Sequence, residues 1–101
     1  MKILVIDDDV LTRRSVARIL VDDGYDVLTA PDETRGIALF RREHPEIVIT
    51  DIVEMILAIR RTATKVKIIA IAGHDTEMLE TARLIGADDA IEKPFRDFDL
   101  D

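Results

Sequence analysis

A chain of 101 residues with 48% hydrophobic content is long enough to build one domain around a core and too short for two. The net charge of −7 argues against nucleic acid as a direct partner, since phosphate neutralisation needs a basic face and the 14 Lys and Arg are scattered; with no cysteine, disulfides and thiolate chemistry are ruled out. No apolar run is longer than that of Ile68 to Ala72, far below the ~20 residues that span a bilayer, and Met1-Lys2 opens onto a strand with no signal-peptide pattern, so a soluble cytoplasmic protein is expected.

The first element is the apolar run Ile3-Leu4-Val5-Ile6, which reads as a strand buried on both faces, as in a parallel sheet covered by helices. It runs straight into three carboxylates, Asp7-Asp8-Asp9. Val10 to Asp23 follows as an amphipathic helix that places Val16, Ile19, Leu20 and Val21 at helical spacings and ends at Gly24. Asp9 is the natural N-cap of that helix. Tyr25 to Ala30 reads as an edge strand by its mixed polarity. Pro31-Asp32 starts a second helix, with Asp32 as N-cap, an apolar side of Ile37, Leu39 and Phe40, and a stop at Pro45.

Ile47 to Thr50 is another buried strand that ends on an acid, Asp51. A helix over Val53 to Arg61 carries Met55, Ile56 and Ile59, and Lys67 to Ala72 is a third buried strand finishing at Gly73. Asp75 or Thr76 caps the next helix, whose apolar residues are Met78, Leu79, Ala82 and Leu84-Ile85 and which Gly86 terminates. Asp89 to Glu92 is a short fifth strand before Lys93-Pro94-Phe95. His44 and His74 sit in polar turns, and the Arg13, Arg14, Arg18 and Arg41-Arg42 groups read as solvated faces.

Five strands alternating with helices predict one parallel sheet with right-handed crossovers. Asp7, Asp8, Asp51, the Ala72-Gly73 pair and Lys93 then all fall at strand carboxyl ends, the edge where open parallel sheets bind ligands. Two carboxylates about 4 Å apart repel by roughly 4 kcal/mol at an effective dielectric near 20. Protons or a divalent cation must offset that repulsion. Oxygen donors of this kind suit Mg²⁺, with Lys93 placed to balance phosphate oxygens as a point charge.

On these motifs the chain resembles the receiver domains of bacterial two-component response regulators, over Lys2 to about Phe98: Asp7-Asp8 after strand one, Asp51 after strand three, Lys93-Pro94-Phe95 after strand five. The resemblance implies a flavodoxin-like doubly wound sheet of order 2-1-3-4-5 as one domain over residues 1–101. It implies that Asp51 accepts a phosphoryl group from a phosphohistidine on a sensor histidine kinase or phosphotransfer protein. It further implies Mg²⁺ held by Asp8 and Asp51, by Asp7 through water and by the backbone carbonyl of Val53, with Lys93 aimed at the phosphate. The role is that of a phosphorylated acceptor with slow autodephosphorylation, signalling to an output partner the sequence leaves unspecified.

Four departures from the family pattern stand out. Ala72 replaces a hydroxyl residue at the end of strand four, and Ala90 replaces an aromatic before the lysine. About seven residues usual in the family are missing between Val53 and Glu54, and the last helix, suggested by Arg96-Asp97-Phe98, is truncated. Such truncation would uncover strands one and five and expose Ile3 to Ile6, so residues beyond these 101 are expected in the natural molecule. Ala72 and Ala90 also motivate an alternative, a degenerate receiver that binds proteins without phosphorylation. A phosphatase of the haloacid dehalogenase type fits Asp7-Asp8-Asp9 but fails on the order of the lysine and on size.

Overall fold

The computed structural model describes residues 1–62, 65–72, 80–81 and 83–92. Strands β1 (Lys2–Ile6), β2 (Asp26–Ala30), β3 (Ile47–Thr50), β4 (Lys67–Ala72) and β5 (Asp89–Glu92) form one sheet in the order β2-β1-β3-β4-β5. Every neighbouring pair is parallel. Helices α1 (Val10–Asp22), α2 (Glu33–Glu43) and α3 (Val53–Thr62) connect the first four strands, and residues 80–81 and 83–84 are also helical. This is the flavodoxin-like doubly wound architecture expected from the sequence, with element bounds shifted by no more than a residue. The truncated fifth helix lies outside the described residues, as do Met78, Leu79 and Ala82.

The period-2 alternation of buried strands sorts the core into two layers. Leu4, Ile6, Val48, Ile68 and Ala70 face Met55, Ile56 and Ile59 of α3, with Ile37, Leu39 and Phe40 of α2 packed alongside. Ile3, Val5, Ile47, Ile49, Ile69 and Ile71 face the other way, against Val16 and Leu20 of α1. Ile3 to Ile6 are therefore all fully buried, as expected of a strand covered on both faces. β1 is an interior strand, so the helices over its two faces cover it. Each such side chain removed from water contributes about 1.5–3 kcal/mol.

Local signals set the helix ends. Asp9 caps α1 by accepting the Thr12 amide at 3.0 Å, and Asp32 caps α2 by accepting the Arg35 amide at 2.8 Å. α1 closes through Gly24, at φ +94°, whose amide reaches the Val21 carbonyl at 3.0 Å. α2 closes on His44, whose left-handed φ of 49° and amide hydrogen bond to the Phe40 carbonyl make a helix cap, and Pro45 follows where the helix cannot continue. Leu84, expected on an apolar helix side, is 87% exposed. Successive residues near a helix end face about 100° apart, and it is Ile85 that packs on the core.

Two close approaches fix spacing. α2 lies so near β1 that a Cβ on Gly36 would stand 2.7 Å from Ile6 Cδ1. At the amino ends of β4 and β5, Arg60 of α3 donates from Nε to the Gly86 carbonyl at 2.7 Å and from Nη1 to the Val66 carbonyl at 2.8 Å, and pairs through Nη2 with the Asp88 carboxylate. Asp88 also accepts the Ile68 amide and returns its own amide to the Ile68 carbonyl, each at 2.8 Å.

Candidate functional site

Strand register gathers the acids. Ile6 pairs with Ala30 on one side and with Thr50 on the other, so Asp7 and Asp51, each the next residue, leave β1 and β3 side by side. The chain goes from β1 outward to β2 and then returns to β3 on the other flank, so this is the point where strand order reverses. Asp7, Asp8 and Asp51 each bring a carboxylate oxygen within 4.8 Å of the other two. Asp7 is fully buried, Asp51 half-buried and Asp8 exposed, which grades the cluster from the sheet to solvent.

Hydrogen bonds hold the first two acids in place. The Asp7 amide extends the ladder to the Ala30 carbonyl at 3.2 Å, and Asp7 Oδ1 accepts the Asp9 amide at 2.8 Å. Arg13, read from sequence as part of a solvated face, instead turns back across the first turn of α1 and donates from Nη1 to the Asp7 carbonyl at 2.7 Å. Its guanidinium thus steadies the peptide that joins Asp7 to Asp8. Only its position one turn past the acids could have signalled this, because the acceptor is main chain.

On the β3 side, the buried Thr50 hydroxyl oxygen accepts the Ile52 amide at 3.0 Å. The Ile52 carbonyl accepts from Met55 at 3.0 Å and from Ile56 at 3.3 Å, so the helix begins at once. Val53, expected to offer its carbonyl to a metal, is the first residue of α3. Lys93, Gly73 and His74 lie outside the described residues. Ala90 packs on the core layer beneath α2 and α3.

The donor set is chemically suited to Mg²⁺. It consists of hard carboxylate oxygens at a sheet edge with one member open to solvent, so water can complete an octahedron. Asp7, Asp8 and Asp51 are the residues that would hold the ion.

Comparison with known proteins agrees with this geometry. The family described as "Response regulator receiver domain" matches residues 3–101. A probable transcriptional regulator, ycf27, of Porphyridium aerugineum is 36% identical over 107 residues, covering 99% of this chain and 45% of the relative. The response regulator MprA of Mycobacterium leprae is 31% identical over 103 residues, covering 94% of this chain and 45% of its own length. The chain thus spans less than half the length of these curated relatives. Since 107 exceeds the 101 residues here, the ycf27 match contains positions with no counterpart in this chain. The crystal structure of the receiver domain of NtrX from Brucella abortus superposes with a TM-score of 0.87 at 32% identity, covering 93% of this chain and 87% of that one. With its sheet order, its acids at the reversal point and these matches, the chain belongs to the response regulator receiver domain family.

Proposed function

We propose that Asp51 accepts a phosphoryl group from a phosphohistidine on a sensor histidine kinase or phosphotransfer protein. The observation that carries this reading is the convergence of Asp7, Asp8 and Asp51 within 4.8 Å at the carboxyl edge of the sheet. An Asp51 oxygen attacks phosphorus as the bond from phosphorus to the donor imidazole nitrogen breaks, which leaves an acyl phosphate on Asp51 and a free histidine on the donor. Bound Mg²⁺ supplies charge neutralisation and orientation for the incoming anion. Asp7, fixed by the Asp9 amide, and Asp8, at the solvent side, are the remaining ligands. Lys93 balances the phosphoryl oxygens.

No helix among the described residues is long and apolar enough to cross a membrane, and the reading places the protein in the cytoplasm with its kinase. The named relatives include a probable transcriptional regulator, but this chain carries a net charge of −7. Its own effect on an output partner is therefore through protein contacts rather than through DNA. As an acceptor that is modified and slowly dephosphorylated, it turns over no separate substrate.

The test is Asp51→Asn, which keeps the side chain's shape and removes its nucleophilicity. Labelling by a small phosphodonor such as acetyl phosphate is expected to disappear while the circular dichroism spectrum is retained. Label persisting on the folded variant would assign the acceptor elsewhere.

A further inference from the structure

The connection after Asp51 is a single residue, Ile52, and both of its peptide groups are committed. Its amide donates to the Thr50 hydroxyl oxygen and its carbonyl accepts from Met55 and Ile56. Ile52 is in effect the N-cap of α3, and Val53 takes the first helical position. A carbonyl at that position points down the helix toward the amide four residues on, at Leu57. The groups that a helix turns toward its amino end are N–H donors, here those of Val53 and Glu54, together with the positive end of the peptide dipoles.

A cation requires acceptors, and this flank of the acid cluster presents donors. We propose that Val53 contributes no ligand to the metal, so that Mg²⁺ is held by the carboxylates of Asp7, Asp8 and Asp51 and by water alone. The inference rests on the reading of those three acids as the cation site. It makes the shortened connection a change in the coordination sphere as well as in chain length. Mg²⁺ tolerates the change because it keeps several waters in protein sites.

The experiment is a Mg²⁺ titration of the full chain followed by carbon-13 shifts of carboxyl and carbonyl carbons. The side-chain carboxyl carbons of Asp7, Asp8 and Asp51 are expected to shift saturably, while the Val53 carbonyl carbon moves no more than that of Leu57. A Val53 shift as large as those of the carboxyl carbons would overturn the proposal and leave the acid site standing. Unmoved carboxyl carbons would overturn the acid site and this proposal with it. As a second measurement, a flexible seven-residue insertion between Val53 and Glu54, which frees the carbonyl from the helix, is expected to tighten Mg²⁺ by about tenfold, the lower end of what groups around a metal contribute. Equal affinity in the two proteins would count against the proposal.

Discussion

The two ends of the sheet treat charge in opposite ways. At the carboxyl ends of β1 and β3, three carboxylates are held within 4.8 Å of one another. At the amino ends of β4 and β5, one guanidinium is met by the Gly86 and Val66 carbonyls and the Asp88 carboxylate, which also anchors the Ile68 amide. Like charges gathered at one edge oppose folding, and opposite charges matched at the other support it. α3 spans both, starting beside Asp51 and ending in the Arg60 cluster. The comparison teaches that an edge crowded with acids tolerates its own repulsion when the elements that carry it are anchored elsewhere.

Breaking the matched end is expected to have the largest effect. Arg60→Met removes three donors at once and leaves the Asp88 carboxylate beside two carbonyls. The loss should be about 1.5–3 kcal/mol, the scale of hydrogen bonds from a charged donor, since the Asp88 side chain is 46% exposed and its ion pair is screened by solvent. Urea unfolding with an unchanged m-value would measure it, and a loss below about 0.5 kcal/mol, the scale of a surface pair, would collapse the distinction between the two ends.

The acid end should respond to a ligand instead. Mg²⁺ at about 100 times its dissociation constant is expected to raise stability by about 2.7 kcal/mol. The Asp7→Asn, Asp8→Asn double variant should be insensitive to Mg²⁺ in the same range. Without the ion, that variant should unfold at higher urea than the parent, since relieved repulsion favours the folded chain. A Mg²⁺-dependent midpoint that survives the double substitution would place the ion away from these acids.

The smallest effect concerns Glu43, at the amino edge of the sheet near β1. A hydrogen bond from Lys2 at 3.3 Å, and after it one from Arg42 at 3.1 Å, hold its carboxyl below the usual glutamate range. The folded state therefore favours the carboxylate, a contribution present above the ordinary glutamate pKa and lost as pH falls through the lowered folded value. Lys2→Met should lower stability slightly near neutrality and flatten the acid limb of the profile, the two proteins converging at low pH where Glu43 is protonated. A steeper acid limb would reverse the sign of this assignment.

What the sequence disclosed and what it concealed divide along a physical line. β1, β3 and β4 were legible because strands covered on both faces are nearly all apolar, and the acids at their ends stood out against that background. Asp9 and Asp32 were legible as caps because their side chains act on amides three residues away, inside the reach of a local pattern. Arg13 and Arg60 were not, since their main acceptors are backbone carbonyls, which carry no residue-type signal. The burial of Ile3 to Ile6 was legible from the same apolar run, whereas the identity of the helices over β1 was not: that depends on where α1, α2 and α3 lie, which only topology supplies. That α3 starts on Val53 itself was visible as a range, but its effect on the direction of the Val53 carbonyl required the hydrogen bonds of Ile52.

Gly36 turns the separation of α2 from β1 into a gauge on the acid site. It sits inside a helix, where glycine is about 1 kcal/mol less favourable than alanine, yet an added methyl group would enter the 2.7 Å gap to Ile6. Ile6 is the residue immediately before Asp7. A methyl group at position 36 would therefore press, through one side chain, on the strand end from which the first carboxylate is suspended. Bulk at position 36 is thus met first by the flexible end of Ile6, whose Cγ1 and Cγ2 stand 3.1 and 3.3 Å from the same point, and only what that side chain cannot yield is passed on to the strand end before Asp7.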